Sequence, residues 1–330
     1  MLTPAPLPPI GKATTLLKWV RVVAALAILA VALTQVRRLD LAATLTAARG
    51  ANLFLVGVAA LINLPLMLSK ALRLRALSPT PLRTRRVTAM YFASYAADTL
   101  LVSQSGPIAR IAFLRREGLR LSLATSLQVI EKVLDALGLA LVVVPLSFVY
   151  AASLPSTTVL HRLMIGGLII GALAILGAVA GFLLLRALAQ RRGASSQAAV
   201  ILDTAASLTA RPVATRVVLF TAVGWGLEIL IALVVVRAMH LSVPFAAAAT
   251  AIVISVSFAA LIPGLPANVG PFEASCVLAL SLYGVGESQG LATAIVYHAA
   301  HTIPATLLGL PSLLILRPTS SREPDPAARA

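Results

Sequence analysis

Residues 217–236 read Val-Val-Leu-Phe-Thr-Ala-Val-Gly-Trp-Gly-Leu-Glu-Ile-Leu-Ile-Ala-Leu-Val-Val-Val, with Arg216 before them and Arg237 after. Glu228 is the one ionisable residue in the run. As a helix rising ~1.5 Å per residue, the stretch covers about 30 Å, the thickness of bilayer hydrocarbon. Comparable runs are read as spans near 18–36, 52–69, 121–149, 160–185 and 291–316. The whole chain agrees: 59% of its residues are apolar and only 12% charged, with a mean hydropathy of +0.96, more apolar surface than a soluble domain can hide. A transmembrane barrel shows short alternating segments instead. The fold class is therefore an all-α integral membrane protein, a polytopic helical bundle. The run at 18–36 is too long for a signal-peptide core and ends in Arg37-Arg38 without a small-residue cleavage site, so it reads as a retained span. Cys276 is the single cysteine and can form no intramolecular disulfide.

Charge sets the orientation. The 27 Lys and Arg outnumber 11 acids, giving +16, and they gather between apolar runs. The densest group is Lys70, Arg73, Arg75, Arg83, Arg85 and Arg86. The positive-inside rule puts this loop in the cytoplasm, together with the N-terminal tail, 110–120, 186–216 and the tail after Arg317. Cations that flank spans serve topology and attraction to anionic lipid. No reading helix or stacking platform accompanies them, so no nucleic-acid partner is expected.

Two apolar regions are broken by Gly and Pro. Residues 87–103 look like a span, yet both flanks are strongly basic; a re-entrant hairpin that enters and leaves on the cytoplasmic side satisfies the charge rule. Its tip is Ser103-Gln104-Ser105-Gly106-Pro107. The second region runs through 244–262, then Pro263-Gly264 to Gly270-Pro271, then 272–283, with few cations around it. That is the sign of a hairpin opening outward. Each half then reads span, span, hairpin, span: repeat 1 at about 18–150 and repeat 2 at about 159–316. These form a single transmembrane domain (18–316), expected to be an inverted repeat of six full spans and two re-entrant hairpins, with cytoplasmic tails at 1–17 and 317–330. A short amphipathic helix is expected around 197–208. Paired Gly/Pro interruptions at corresponding positions point to a central transport site; the plainer alternative is that Gly-Pro kinks two ordinary spans.

A charge near the bilayer centre costs about 2.5–3.5 kcal/mol on insertion scales, so it persists where it is paired or useful. Glu131 and Asp135 lie four apart on one helix, with Lys132 beside the first; Arg110 and Glu273 each follow a hairpin tip; His298 and His301 lie on the last span. Convergence of the tips would let Arg110 meet Glu273 or Glu131. The same residues also suit a structural ion-pair network, and the two histidines suit hydrogen bonding between helices. Glu228 is expected to serve as a buried partner for a hydroxyl or cation, and Asp98 to pair near the first hairpin. No third or fourth ligand marks a metal site. No phosphate-binding Gly-rich loop or nucleophile elbow is present, so no cofactor is expected.

The stretch Gly106, Arg110, Leu114, Arg116, Gly118, then Glu131-Lys132 and Asp135, resembles the flippase-like transmembrane domain of lysylphosphatidylglycerol synthases and their stand-alone relatives. Ile262-Pro263-Gly264 through Gly270-Pro271-Phe272-Glu273-Ala274 is similar to that family's Pro-Gly-Gly-x-Gly-x-x-Glu signature, stretched by Leu265 to Asn268. Leu282-Tyr283-Gly284-Val285, Tyr297-His298 and Leu308-Gly309 fit its closing segment. Lys132 and His298 stand where arginine is usual, and Pro107 where an acid is usual. The resemblance, over about 91–310, implies movement of a lipid or lipid-linked sugar between leaflets, or support of an enzyme that makes one. Only residues 317–330 follow the last span, so no aminoacyl-transferase activity is expected of this chain. On this reading the partner is a membrane lipid, anionic or polyprenyl-linked, with Arg110 and Lys132 pairing to its phosphate. A second reading makes the chain a non-transporting scaffold or regulator of a glycosyltransferase or lipid synthase. An intramembrane enzyme built on Glu131 and Asp135 ranks last. The Ala-, Leu- and Arg-rich composition suits a bacterial inner (cytoplasmic) membrane. Cysteines introduced one at a time into a Cys276→Ser background test the topology: Arg85→Cys is expected to react with a membrane-impermeant maleimide from the cytoplasmic side only, and Ser242→Cys from the opposite side only.

Overall fold

The computed structural model describes residues 40–101, 105–151, 197–261, 269–281 and 283–317, with helical pieces between 172 and 191. The expected span at 18–36, most of that at 160–185, both expected tails except Arg317, and Pro263 and Gly264 lie outside the described residues. Every regular element among the described residues is a helix. A short helix α1 (Leu41–Arg49) is capped by Asp40, whose carboxylate accepts from Ala43 N at 2.9 Å. Helix α2 (Leu53–Leu77) follows; Asn52 caps it, accepting from Leu55 N at 3.2 Å. It runs well past the apolar stretch expected to end near 69. Charge ends an apolar run, but it does not end a helix. Ser78, extended ahead of Pro79, does.

Helices α3 (Thr84–Leu100) and α4 (Ser105–Arg116) pack against each other, as do α8 (Phe245–Leu261) and α9 (Pro271–Ser281). Gly106 and Pro107 sit in the first turn of α4, where the missing proline N–H is no loss. Pro271 likewise opens α9 directly after Gly270. The Gly106 amide donates to Asp98 Oδ1 at 2.7 Å, fastening the start of α4 to α3. Between the hairpins come α5 (Leu121–Ala151), α6 (Gln197–Ala206) with a 3-10 turn at Ser207–Thr209, and α7 (Arg211–Ala238); α10 (Glu287–Ile315) closes the order. Among the described residues, α2, α7 and α10 are long and apolar enough to cross a membrane. Exposed leucines such as Leu53, Leu61, Leu68, Leu307 and Leu314 cover their outer faces.

Helices α2 and α7 lie antiparallel along their lengths. The Asn52 amide donates to Ala238 O at 2.9 Å at one end, and Gly224, at which a Cβ would stand 3.3 Å from Ser69 Oγ, lets the backbones approach further down. Helices α3 and α10 are also antiparallel: Arg86 Nη1 donates to Ile315 O at 3.1 Å, and a Cβ at Gly309 would stand 2.5 Å from Phe92 O. Both α4 and α9 end on a glycine with positive φ, Gly118 at 92° and Gly284 at 78°. In each case the next amide reaches back, Leu119 N to Leu114 O at 3.2 Å and Val285 N to Leu280 O at 3.3 Å. This is the helix-ending geometry only glycine adopts without cost.

Proline also explains a polar side chain in the middle of the bundle. Pro304, inside α10, has no N–H to give to the carbonyl of Ala300. Asn63 of α2 supplies it, its Nδ2 donating to Ala300 O at 2.9 Å in a fully buried setting. Asn63→Leu is expected to cost about 1–3 kcal/mol, read as a lower unfolding temperature in detergent. In a Pro304→Ala background the helix makes its own bond, and the cost should fall; equal costs in both backgrounds would show that the carbonyl does not depend on Asn63.

Candidate functional site

Two polar layers lie within this apolar bundle. The first is built by α2, α3, α4 and α5. Gln128, Glu131 and Asp135 occupy one face of α5, spaced three and then four apart. Arg73, buried at 3% exposure, projects from α2; its Nη2 lies 2.7 Å from Asp135 Oδ1 and 3.5 Å from Glu131 Oε1. The Tyr91 hydroxyl on α3 donates to Glu131 Oε1, and Gln128 Nε2 donates to Glu131 Oε2 at 3.0 Å. Arg110 of α4 donates through Nε to Gln128 Oε1 at 2.8 Å, and its guanidinium sits 4.8 Å above the Tyr91 ring.

Arg110 was expected to meet Glu273 or Glu131 directly. It reaches Glu131 only through Gln128, because Arg73 already occupies the carboxylates. Among the described residues, Arg110 has no carboxylate within ion-pair distance, and it is half-buried. Lys132 points off the Glu131 face and is exposed. It lies within electrostatic range of Arg110 and of Lys70 on α2.

The second layer is built by α7, α9 and α10. The Tyr297 hydroxyl donates to Glu228 Oε1. His301 Nε2 approaches the same oxygen to 3.1 Å, close enough for a charge contact but out of line for a hydrogen bond. His301 Nδ1 faces Tyr297 O at 3.2 Å. One turn away, His298 Nδ1 lies 2.7 Å from Glu273 Oε1, while Glu273 Oε2 accepts from Gly270 N at 2.6 Å. The Phe272 ring stacks on Tyr297 with centroids 5.4 Å apart and meets His298 edge-on at 5.4 Å. His298 thus bonds across to α9, whereas His301 meets α7 only through its close approach to Glu228. Between the layers stands Tyr95 of α3, one turn beyond Tyr91, within electrostatic range of Glu228, Asp98 and Arg110.

No group of three or more metal-ligating side chains occurs among the described residues. The residues to which sequence reading assigned no place in the site are Arg73, Tyr91, Gln128 and Tyr297. Arg73 had been counted only as a loop cation. The neutral three carry no charge to attract notice, although Gln128 shares the Glu131 face at helical spacing.

Apolar crossing helices, paired broken regions and buried ion pairs define a multi-pass helical membrane protein. The sequence model described as "Lysylphosphatidylglycerol synthase TM region" matches residues 19–309, and the chain belongs to that family. No curated protein matches the chain. Arg73→Ala would leave Glu131 buried without its cation. A loss of about 3–5 kcal/mol is expected for breaking such a pair, toward the lower end because the Asp135 side chain is 39% exposed. Thermal unfolding of the purified protein measures it, and a loss below about 1 kcal/mol, typical of a surface pair, would show that the cluster is no brace.

Proposed function

We propose that the protein is a lipid translocator in which an anionic headgroup enters beside the first hairpin while the acyl chains stay in the bilayer. The observation that carries this reading is the imbalance of the first layer. Glu131 and Asp135 are committed to Arg73, whereas Arg110, Lys132 and Lys70 cluster without an ion-pair partner among the described residues. A half-buried guanidinium with no carboxylate at ion-pair distance favours an anion from outside, and it presents a fork of donors suited to phosphate oxygens. Tyr91 and Gln128 orient Arg110, leaving its terminal nitrogens for the ligand.

An inverted repeat with six full spans is the architecture in which such a site faces either side in turn. The packing pattern supports it. Exchange of α2 with α7, α3 with α8, α4 with α9 and α5 with α10 carries each of the contacts α2–α3, α3–α4, α4–α5, α3–α10 and α2–α10 onto another observed contact. The first hairpin arms are both 17 residues long. The glycine turns at Gly118 and Gly284 each precede the next helix start, Leu121 or Glu287, by the same interval. Cytoplasmic termini and an inner-membrane location complete the reading on the charge rule.

Mass spectrometry of lipids retained by gently purified protein tests it. Wild type is expected to enrich one anionic or polyprenyl-linked lipid, and Arg110→Ala to lose most of that enrichment while remaining folded. Bulk membrane lipid alone, unchanged by Arg110→Ala, would overturn the headgroup site and favour a scaffold for a glycosyltransferase or lipid synthase.

A further inference from the structure

The two polar layers differ in their capacity to change charge. The first is organised by a guanidinium, which keeps its proton throughout the working range. In the second, Glu228 and Glu273 have no Arg or Lys within ion-pair distance among the described residues; each faces an imidazole, and the two imidazoles lie three residues apart on α10. Imidazole gains and loses a proton near neutral pH.

Hydrogen positions follow from the partners. The Tyr297 carbonyl can only accept, so His301 Nδ1 carries a hydrogen; Nε2 then faces Glu228 at 3.1 Å in a buried pair. His298 is different. Its Nδ1 lies 2.7 Å from a carboxylate oxygen and therefore donates, while Nε2 has no partner among the described residues on a side chain that is 17% exposed. That nitrogen is the ring position open to a further proton. Without it, the pair carries the full negative charge of Glu273. With it, the pair is a neutral carboxylate–imidazolium contact. Glu273 is also the clasp of the second hairpin through Gly270 N, so this charge sits where α9 begins.

The surrounding groups are few. Cys276 of α9 lies within electrostatic range of Glu273. Tyr297 and His301 accompany His298 on α10, and Glu228 approaches from α7. Lys70 of α2 and Tyr95 of α3 lie within range of Glu228. Helix α8 brings no titratable side chain, and α1 brings Arg49 in its last turn.

We propose that the Glu273–His298 pair is a proton-binding site, and that proton uptake and release there drives headgroup movement. The proposal rests on the translocator reading. An unneutralised charge is costly in hydrocarbon and tolerated where it meets water, so proton occupancy and the side to which the hairpin opens are thermodynamically linked.

Nitrogen NMR of the full chain with isotope-labelled histidine, in vesicles of phosphatidylethanolamine and phosphatidylglycerol, follows imidazole protonation from about pH 5 to about pH 8. One titrating signal is expected to vanish in His298→Gln and to change in Glu273→Gln. If no signal removed by His298→Gln titrates, the proton site is overturned. In the same vesicles, a fluorescent phosphatidylglycerol probe under an imposed pH gradient should redistribute between leaflets by up to about ten-fold per pH unit for one proton per lipid, and His298→Gln should abolish that response. A probe that moves in wild type but equilibrates evenly whatever the gradient overturns the coupling and leaves the translocator reading standing. No probe movement in wild type, with or without the gradient, overturns the coupling together with the translocation of this lipid class, while the NMR titration still decides the proton site.

Discussion

A guanidinium buried in an apolar bundle must be neutralised and hydrogen-bonded, or it unfolds the structure around it. Arg73 is neutralised by Glu131 and Asp135 through Nη2, and the arrangement of the first layer follows. Two carboxylates at helical spacing hold α5 against α2. Tyr91 brings α3 to the same carboxylate, and Gln128 relays the contact to α4 through Arg110. Four elements are thus joined through one charge. The brace leaves Arg110 without a carboxylate at ion-pair distance among the described residues, because the neighbouring acids face Arg73.

The second layer solves a similar problem with different chemistry. A tyrosine hydroxyl again donates to a buried glutamate, Tyr297 to Glu228 as Tyr91 does to Glu131. The opposing group, however, is an imidazole instead of a guanidinium. A fixed charge suits a brace. Among the described residues, Glu273 joins the start of α9 to α10 through His298, in addition to its own backbone clasp at Gly270.

Much of the skeleton was legible because bilayer thickness leaves few choices: apolar runs of the required length became α2, α5, α7 and α10, and the broken runs became pairs of packed helices. Pro107 and Pro271 marked the second arms accurately because proline is tolerated in a first helical turn. The amphipathic segment near 197 became α6, docked by Gln197 on Ser122 and Ser126 of α5. Partner choice was harder to read. Hydropathy truncates α2 where its charges begin, so Arg73 looked like part of a loop, and Arg110 looked like the natural mate of Glu131. Tyr91 and Tyr297 were invisible for another reason: a hydroxyl on an apolar ring scores as hydrophobic until a carboxylate is placed beside it.

Pro304 leaves α10 one backbone bond short at Ala300, immediately before His301, and Asn63 closes the gap from α2. The bending stiffness of the helix that carries both imidazoles is therefore set in part by a neighbour's side chain. Any sliding of α2 along α10 that withdraws Asn63 leaves a bare carbonyl and a softened joint between the two histidines and the C-terminal half of the helix. Compliance in α10 is thus a property of the α2–α10 contact, switched by the position of one carboxamide, and not of the α10 sequence alone.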